Sequence, residues 1–473
     1  MDWHPPSSQD ETRFDPAEVF AAGLRQHHIA NTAYPIHHVT TMRPYRIPRT
    51  EVQSIAPQAW EGLDGIGLYV HIPFCETRCG FCEYTVIDPA VREETEGPYF
   101  DLLMEEFALW RRAIGPRRLT GFDIGGGTPP LAPLPQIARL METVHRNFTL
   151  PSEVEVSIET TPKIAALAPG KLRAYYRMGI RRISMGVQTV SPRLLEAVGR
   201  RATRLDWDRR AAENIRAAGF RKFNVDLMYG FAGQSLKGVE ATLRHALALQ
   251  PEHITLYRMR YKGTRLASQA GRVTREEVNR QKELLRSLLL EAGYRAPVGK
   301  NTYTRLLDDS GASDYLTNRV VYGTPYLGLG LGAQSLSEHT LAYNAGAADK
   351  RLRNYQRKIS AGQLPIQDLY HLSPQAAMGK FISVSFYFGG IHRASFRRKF
   401  GLTLEEAFPA EVDFVLREGL MESTPDSLRL TPHGDKYYNG VIALFYAGAV
   451  KGALLEGNGG RVTVERRPLT VDG

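Results

Sequence analysis

Leu68-Tyr-Val-His-Ile-Pro-Phe-Cys75-Glu-Thr-Arg-Cys79-Gly-Phe-Cys82 contains all three cysteines of this 473-residue chain. Cysteines kept only for packing would be scattered through the core. The spacing C-x3-C-x2-C instead offers three thiolates from one loop. A structural zinc site closes its shell with four ligands, and a cubane iron–sulfur cluster is usually held by four cysteines. With three, one iron stays open, and the chain has no further cysteine to fill that corner. The loop is therefore suited to bind a non-protein ligand at a metal. The competing reading is a zinc knuckle completed by His71. That histidine lies in a predicted strand close to Pro73, which is a poor spacing for a fourth ligand.

Outward from the loop, short apolar strands alternate with amphipathic helices. Strands are predicted at 68–73, 121–124, 153–158, 181–187, 222–228 and 253–257. Helices are predicted at 99–113, 135–146, 163–178, from 192, and at 236–249 and 274–292. This alternation implies a parallel α/β sheet with right-handed crossovers, as an open doubly wound sheet or a partial barrel. In either case function gathers at the C-terminal ends of the strands. The cysteine loop directly follows the first strand, and Gly125-Gly-Gly-Thr-Pro129 directly follows the second.

The flanks are less regular. Residues 1–14 read as a polar tail, 15–28 as a short helix, and Tyr34-Pro-Ile-His-His38 and Arg43-Pro-Tyr-Arg-Ile-Pro48 as linker. Residues 322–335 form a glycine-punctuated strand and turn. Helices at 376–388, 395–400 and 404–417, a stop at Gly419 and a hairpin at 427–432 suggest a winged-helix-like appendage. Charge is not concentrated there, so a packing lid is expected rather than a DNA reader.

Composition is that of a soluble protein with a large core, at 43% hydrophobic and 23% charged residues. The net charge of +10 comes without a long basic run. Specific nucleic-acid binding is therefore not expected, and an acidic small molecule suits the balance as well. No charged n-region precedes an apolar stretch at the N-terminus. The apolar run 441–450 is too short to span a bilayer. The expectation is a cytoplasmic chain in a reducing compartment, where clustered cysteines serve metal or redox chemistry.

Ordered companions follow the cysteine motif: Gly125-Gly-Gly-Thr-Pro129, Ser157-Ile-Glu159, Ile183-Ser-Met-Gly-Val-Gln188, Asn224-Val-Asp-Leu-Met-Tyr-Gly230, Pro251-Glu-His-Ile-Thr-Leu-Tyr257 and Tyr326-Leu-Gly-Leu-Gly-Leu-Gly-Ala333. Together they resemble the radical S-adenosylmethionine (SAM) superfamily. More narrowly they resemble its oxygen-independent coproporphyrinogen III oxidase (HemN)-like branch, which includes class C methyltransferases. The resemblance covers about 65–435. It implies a partial (β/α)6 TIM-type barrel over 61–300, after an N-terminal extension at 1–60. A barrel-closing segment at 301–365, a small helical, winged-helix-like C-terminal domain at 366–455 and a tail at 456–473 would follow.

The resemblance also implies a [4Fe-4S] cluster on Cys75, Cys79 and Cys82. One or two SAM molecules would bind, the first at the open iron, where reduction yields a 5′-deoxyadenosyl radical. Gly126, Gly127 and Thr128 would meet the amino end of SAM. Glu159 would accept from its ammonium or ribose, and Gln188 would lie beside it. Arg200, or its neighbour Arg201, would pair with the carboxylate. Asp226 would lie near the active centre, and Tyr69 and Phe81 near the cofactor, with Phe81 flanking adenine. From the residues alone, Glu159 suits the site because it follows apolar Ile158 at a strand end. Asp226 could equally be a strand-end ion pair, and the two aromatics could equally be core. The partners implied are a small-molecule or tetrapyrrole substrate and an electron donor such as flavodoxin or ferredoxin, with the chain a monomer and no membrane.

One departure matters. Bacterial coproporphyrinogen oxidases often continue Cys-x-Cys after the third ligand, whereas Glu83-Tyr84 follows Cys82 here. This turns the expectation toward C-methylation or methylene transfer on a small unsaturated substrate, using two SAM. Oxidative decarboxylation or other modification of a tetrapyrrole, and a haem-chaperone role, are the alternatives.

Overall fold

The structure is a computed structural model that describes residues 14–25, 34, 41–200 and 204–456. The expected tail before residue 14, most of the Tyr34–His38 linker, Arg201 and the tail after residue 456 lie outside the described residues.

The six predicted strands are present: β1 Gly65–Ile72, β2 Arg118–Gly126, β3 Val156–Thr160, β4 Ile180–Gln188, β5 Lys222–Tyr229 and β6 His253–Arg258. They pair in parallel in chain order. In β1, Ile66, Leu68, Val70 and Ile72 are fully buried, and Gly67 and His71 on the other face are buried too. Burial on both faces is the mark of a parallel sheet covered by helices. The helix Leu134–Asn147 shows how: Ile137, Leu140, Met141 and Val144 recur at helical spacing and all enter the core.

Strands beyond residue 300 extend this sheet at both ends. They are β7 Thr302–Thr304, β8 Tyr326–Leu329, β9 Gln334–Leu336, β10 Thr340–Asn344 and β11 Ile366–His371. The order is β11-β10-β9-β8-β1-β2-β3-β4-β5-β6-β7. The glycine-rich strand β8 thus lies parallel beside β1, in register from Gly67↔Tyr326 to Val70↔Leu329. The architecture is the α/β partial barrel expected, with an antiparallel flank.

Two predicted helices are broken by proline. The segment 163–178 divides into Pro162–Leu167 and Pro169–Arg177, and 404–417 divides into Leu404–Ala407 and Pro409–Arg417. Proline disfavours the helical conformation in the residue before it, and Ala168 (φ −125°, ψ 58°) and Phe408 (φ −136°, ψ 57°) are both non-helical. The C-terminal helices pack on a three-stranded sheet of β12 Gly390–His392, β13 Met421–Ser423 and β14 Ser427–Leu430, in the order β12-β14-β13. Val19 and Ala22 of the helix Pro16–Leu24, together with Tyr34, are buried in the same apolar cluster.

The closing strands are tied to the barrel by one buried carboxylate. Glu106, in the helix Arg92–Ile114, accepts hydrogen bonds from Gly330 N (2.7 Å), Asn344 Nδ2 (2.7 Å) and the Tyr355 hydroxyl. Burial pushes its carboxyl up to about 7 despite these donors. Glu106→Leu would leave three buried donors unpaired and should cost about 3 kcal/mol or more in denaturant unfolding. A raised carboxyl favours the protonated folded state, so this site's stability should fall as pH rises from the normal carboxylate range through about 7. Glu106→Gln should remove that part of the slope.

Candidate active site

A cavity of about 970 Å³ opens at the C-terminal ends of the strands, and β2 to β6 all contribute to its wall, together with the loop after β1. Cys75, Cys79 and Cys82 border it from the loop after β1. The loop begins on the strand ladder itself: Gly127 N donates to Ile72 O (2.8 Å) and Thr128 N to Phe74 O (2.7 Å). Its middle is held by Gly80, whose N–H donates to Val198 O (2.9 Å) and whose carbonyl accepts from Arg265 N (3.1 Å).

The thiols suit a metal cluster better than a free existence. Burial, with the two neighbouring thiols adding to it, pushes Cys75 up to about 12, and burial raises Cys82 as well. Thiolates here need a nearby multivalent cation. Outer donors are in place: Thr128 Oγ1 reaches Cys75 Sγ at 3.6 Å and Arg200 Nε reaches Cys79 Sγ at 3.2 Å. Hydrogen bonds to the sulfurs are one way proteins tune such clusters. The zinc-knuckle alternative fails on His71. Its Nε2 lies 2.7 Å from Thr85 O and its Nδ1 3.3 Å from the Tyr69 hydroxyl, so both ring nitrogens are engaged in the core. Burial lowers its pKa to about 4, so the ring is neutral. Among the described residues no three His, Cys, Asp or Glu side chains converge on a single ion.

Glycine is required at the end of β2 by crowding. A Cβ on Gly125 would lie 2.6 Å from Glu159 Oε1, and one on Gly126 (φ 114°) 2.5 Å from His71 Nδ1. Gly126, Gly127 and Thr128 border the cavity. Glu159 at the end of β3 is exposed, but to the cavity interior. Burial, reinforced by Asp226 and Asp123, pushes its carboxyl up to about 8. Asp226 is pushed up to about 6 by burial, against a 2.7 Å hydrogen bond from Asn224 Nδ2. Two carboxyls held above their ordinary range face one enclosed space, and a sulfonium or ammonium there would restore their charge.

Gln188 ends β4 with φ 68°, a left-handed conformation unusual for a non-glycine residue and common at functional sites. Arg200 also donates to Gly186 O (2.8 Å), and its guanidinium lies 5.6 Å from the centre of the Phe81 ring. Two arms of its fork are therefore already engaged. Phe81 meets Phe231 edge-on. The structure brings eleven of the twelve predicted residues to this wall. The twelfth, Tyr69, is set behind Gly125, stacked on Tyr315.

Other lining residues escaped sequence reading. Tyr257 and Arg258 end β6, where the strand-end rule could have found them. Tyr343 and Tyr387 come from distant segments and carry no local signal. Tyr84 and Tyr257 are 60% and 40% exposed, with their surfaces in the cavity wall.

Cys75→Ala, Cys79→Ala and Cys82→Ala should each abolish the cluster's brown absorbance, since no other cysteine can substitute. A brown, SAM-cleaving variant would overturn the assignment. Glu159→Ala should keep the chromophore and weaken SAM binding about tenfold or more in equilibrium dialysis, as loss of a charged hydrogen bond would.

Residues 69–246 match the model of the radical SAM superfamily. The chain is 26% identical over 385 residues to the heme chaperone HemW of Bacillus subtilis, covering 80% of this chain and 98% of that protein. It is 27% identical over 308 residues to the oxygen-independent coproporphyrinogen III oxidase of Escherichia coli, covering 62% and 65%. The solved structure of Escherichia coli coproporphyrinogen III oxidase (HemN) shares the fold, with a TM-score of 0.69 at 22% identity over 83% of this chain and 93% of that one. Among the described residues no helix is long and apolar enough to cross a membrane. Residues 69–246 thus carry a radical SAM domain, whose cofactors are a [4Fe-4S] cluster and SAM, and the chain is similar over most of its length to HemN and HemW proteins.

Proposed function

We propose that the protein is a HemN-like radical SAM enzyme that transfers a methyl or methylene carbon to a small unsaturated substrate, using two SAM molecules. The observation that carries this reading is the reach of the cavity. At about 970 Å³ it lies at the upper end for a single-ligand site. Its lining joins Glu159, Gln188, Arg200 and Asp226 with four tyrosines, Tyr84, Tyr257, Tyr343 and Tyr387. That leaves room for a second ligand beside the first.

A bound, reduced cluster would supply the electron for reductive cleavage of SAM, the radical chemistry of this superfamily. The chain's own residues hold and shield. Cys75, Cys79 and Cys82 hold the cluster, while Thr128 and Arg200 donate to the sulfurs. Glu159 and Asp226 supply negative charge to the cationic ligand. Gln188 and the remaining arm of Arg200 are positioned for polar groups, and Phe81 for a flat ring. The tyrosine wall gives a conjugated substrate faces to stack on and excludes water from a reactive radical.

The likeness to a heme chaperone and to a coproporphyrinogen III oxidase favours a second reading, in which the substrate or cargo is a tetrapyrrole. Products separate the two. Anaerobic, cluster-reconstituted protein with a strong reductant should release 5′-deoxyadenosine. S-adenosylhomocysteine beside it, with methyl label from SAM in the product, supports carbon transfer. Carbon dioxide released from coproporphyrinogen III supports the tetrapyrrole oxidase instead. A reduced protein that binds haem and never cleaves SAM would sink both enzyme readings and leave the chaperone.

A further inference from the structure

Of the cations in the cavity wall that the scheme above does not use, one stands at a strand end. Arg258 ends β6, is half-buried, and borders the cavity next to the exposed ring of Tyr257. Its side chain makes no hydrogen bond or ion pair among the described residues. The acids around it are otherwise engaged: Asp435 is 2.5 Å from Lys282 Nζ, and Glu83 acts on Arg260. A guanidinium partly removed from water without a carboxylate is costly, because its desolvation is not offset.

The surrounding field points the same way. Burial raises the Tyr438 phenol, yet Arg258, Arg260 and Lys282 together outweigh that effect and bring it below its ordinary value, with Asp435 opposing them. Net positive potential therefore collects at this end of β6. Arg260 is shared with Glu83 and Tyr387, and Lys282 with Asp435, whereas Arg258 acts on the phenols of Tyr229 and Tyr438, has no carboxylate partner, and borders the cavity.

We infer that Arg258 is an oxyanion subsite, and that the substrate is a flat conjugated compound bearing a carboxylate or phosphate that docks on it while the ring lies on the Tyr257 side of the tyrosine wall. A guanidinium suits such a group because its planar fork can meet two oxygens at once. The inference rests on reading the cavity as a substrate site, and it adds the chemical class that the site selects.

Binding tests this without turnover. Cluster-reconstituted protein, loaded with SAM and kept anaerobic, is titrated with 2-naphthoate, methyl 2-naphthoate and 2-naphthyl phosphate, following probe fluorescence. At least one of the two anions should bind saturably, about tenfold more tightly than the neutral ester. The preference between anions tells carboxylate from phosphate. Arg258→Gln should remove the gap between anion and ester while leaving ester binding unchanged, and Arg258→Lys should restore part of it. Equal binding of acid and ester, no saturable binding of either anion, or an unchanged gap in Arg258→Gln would overturn the subsite. The acid–ester comparison uses the wild-type protein, so it stands even if a variant misfolds. Failure of the wild type to release 5′-deoxyadenosine would instead count against the enzymatic reading, whatever the titration shows.

Discussion

Thiols set close together in one half-buried loop resist ionising unless a cation of high charge holds them there. Burial raises Cys75 and Cys82, and the neighbouring Cys79 adds to both. The rest of the site is arranged around that constraint. The β1–β2 ladder continues through Gly127 and Thr128 to fix where the loop leaves the sheet. Arg200 reaches back from beyond β4 to donate to Cys79. Gly80 is pinned between segments that follow β4 and β6. The loop is thus bonded to parts of the barrel far from it in sequence, which a rigid metal cluster requires of its ligands.

The cavity is electrically uneven. Glu159 and Asp226 set two carboxyls that a cation would ionise in an enclosed space beside the thiols, while Arg258 and Arg260 bring positive charge to the end of β6. Low dielectric makes both regions selective, since an unmatched charge in either is expensive. A cationic cofactor and an anionic substrate would each find a complementary region, and tyrosines share the same wall.

Much of the framework was legible because its signals are local. The strand–helix alternation depends on residues a few positions apart, so all six core strands appeared where expected. Pro169 and Pro409 could have marked the two helix breaks, since a proline's effect on the preceding residue is also local. The placing of β8 beside β1, the Glu106 tie and the packing of Val19 and Ala22 on the C-terminal helices were not legible. Each joins segments separated by hundreds of residues and leaves no periodic trace.

By itself the sequence determined how many thiols a cluster could be offered. Three cysteines and no fourth decide how many corners protein can fill, and that count does not depend on how the chain folds. Only the tertiary structure decided what stands opposite them. Tyr84 at the loop, Tyr257 and Arg258 on β6, Tyr343 on β10 and Tyr387 beyond the helix Pro374–Ser385 meet at one cavity because the sheet curls their segments together. Substrate choice lies in that meeting, since shape and charge complementarity belong to the assembled wall and to none of its pieces.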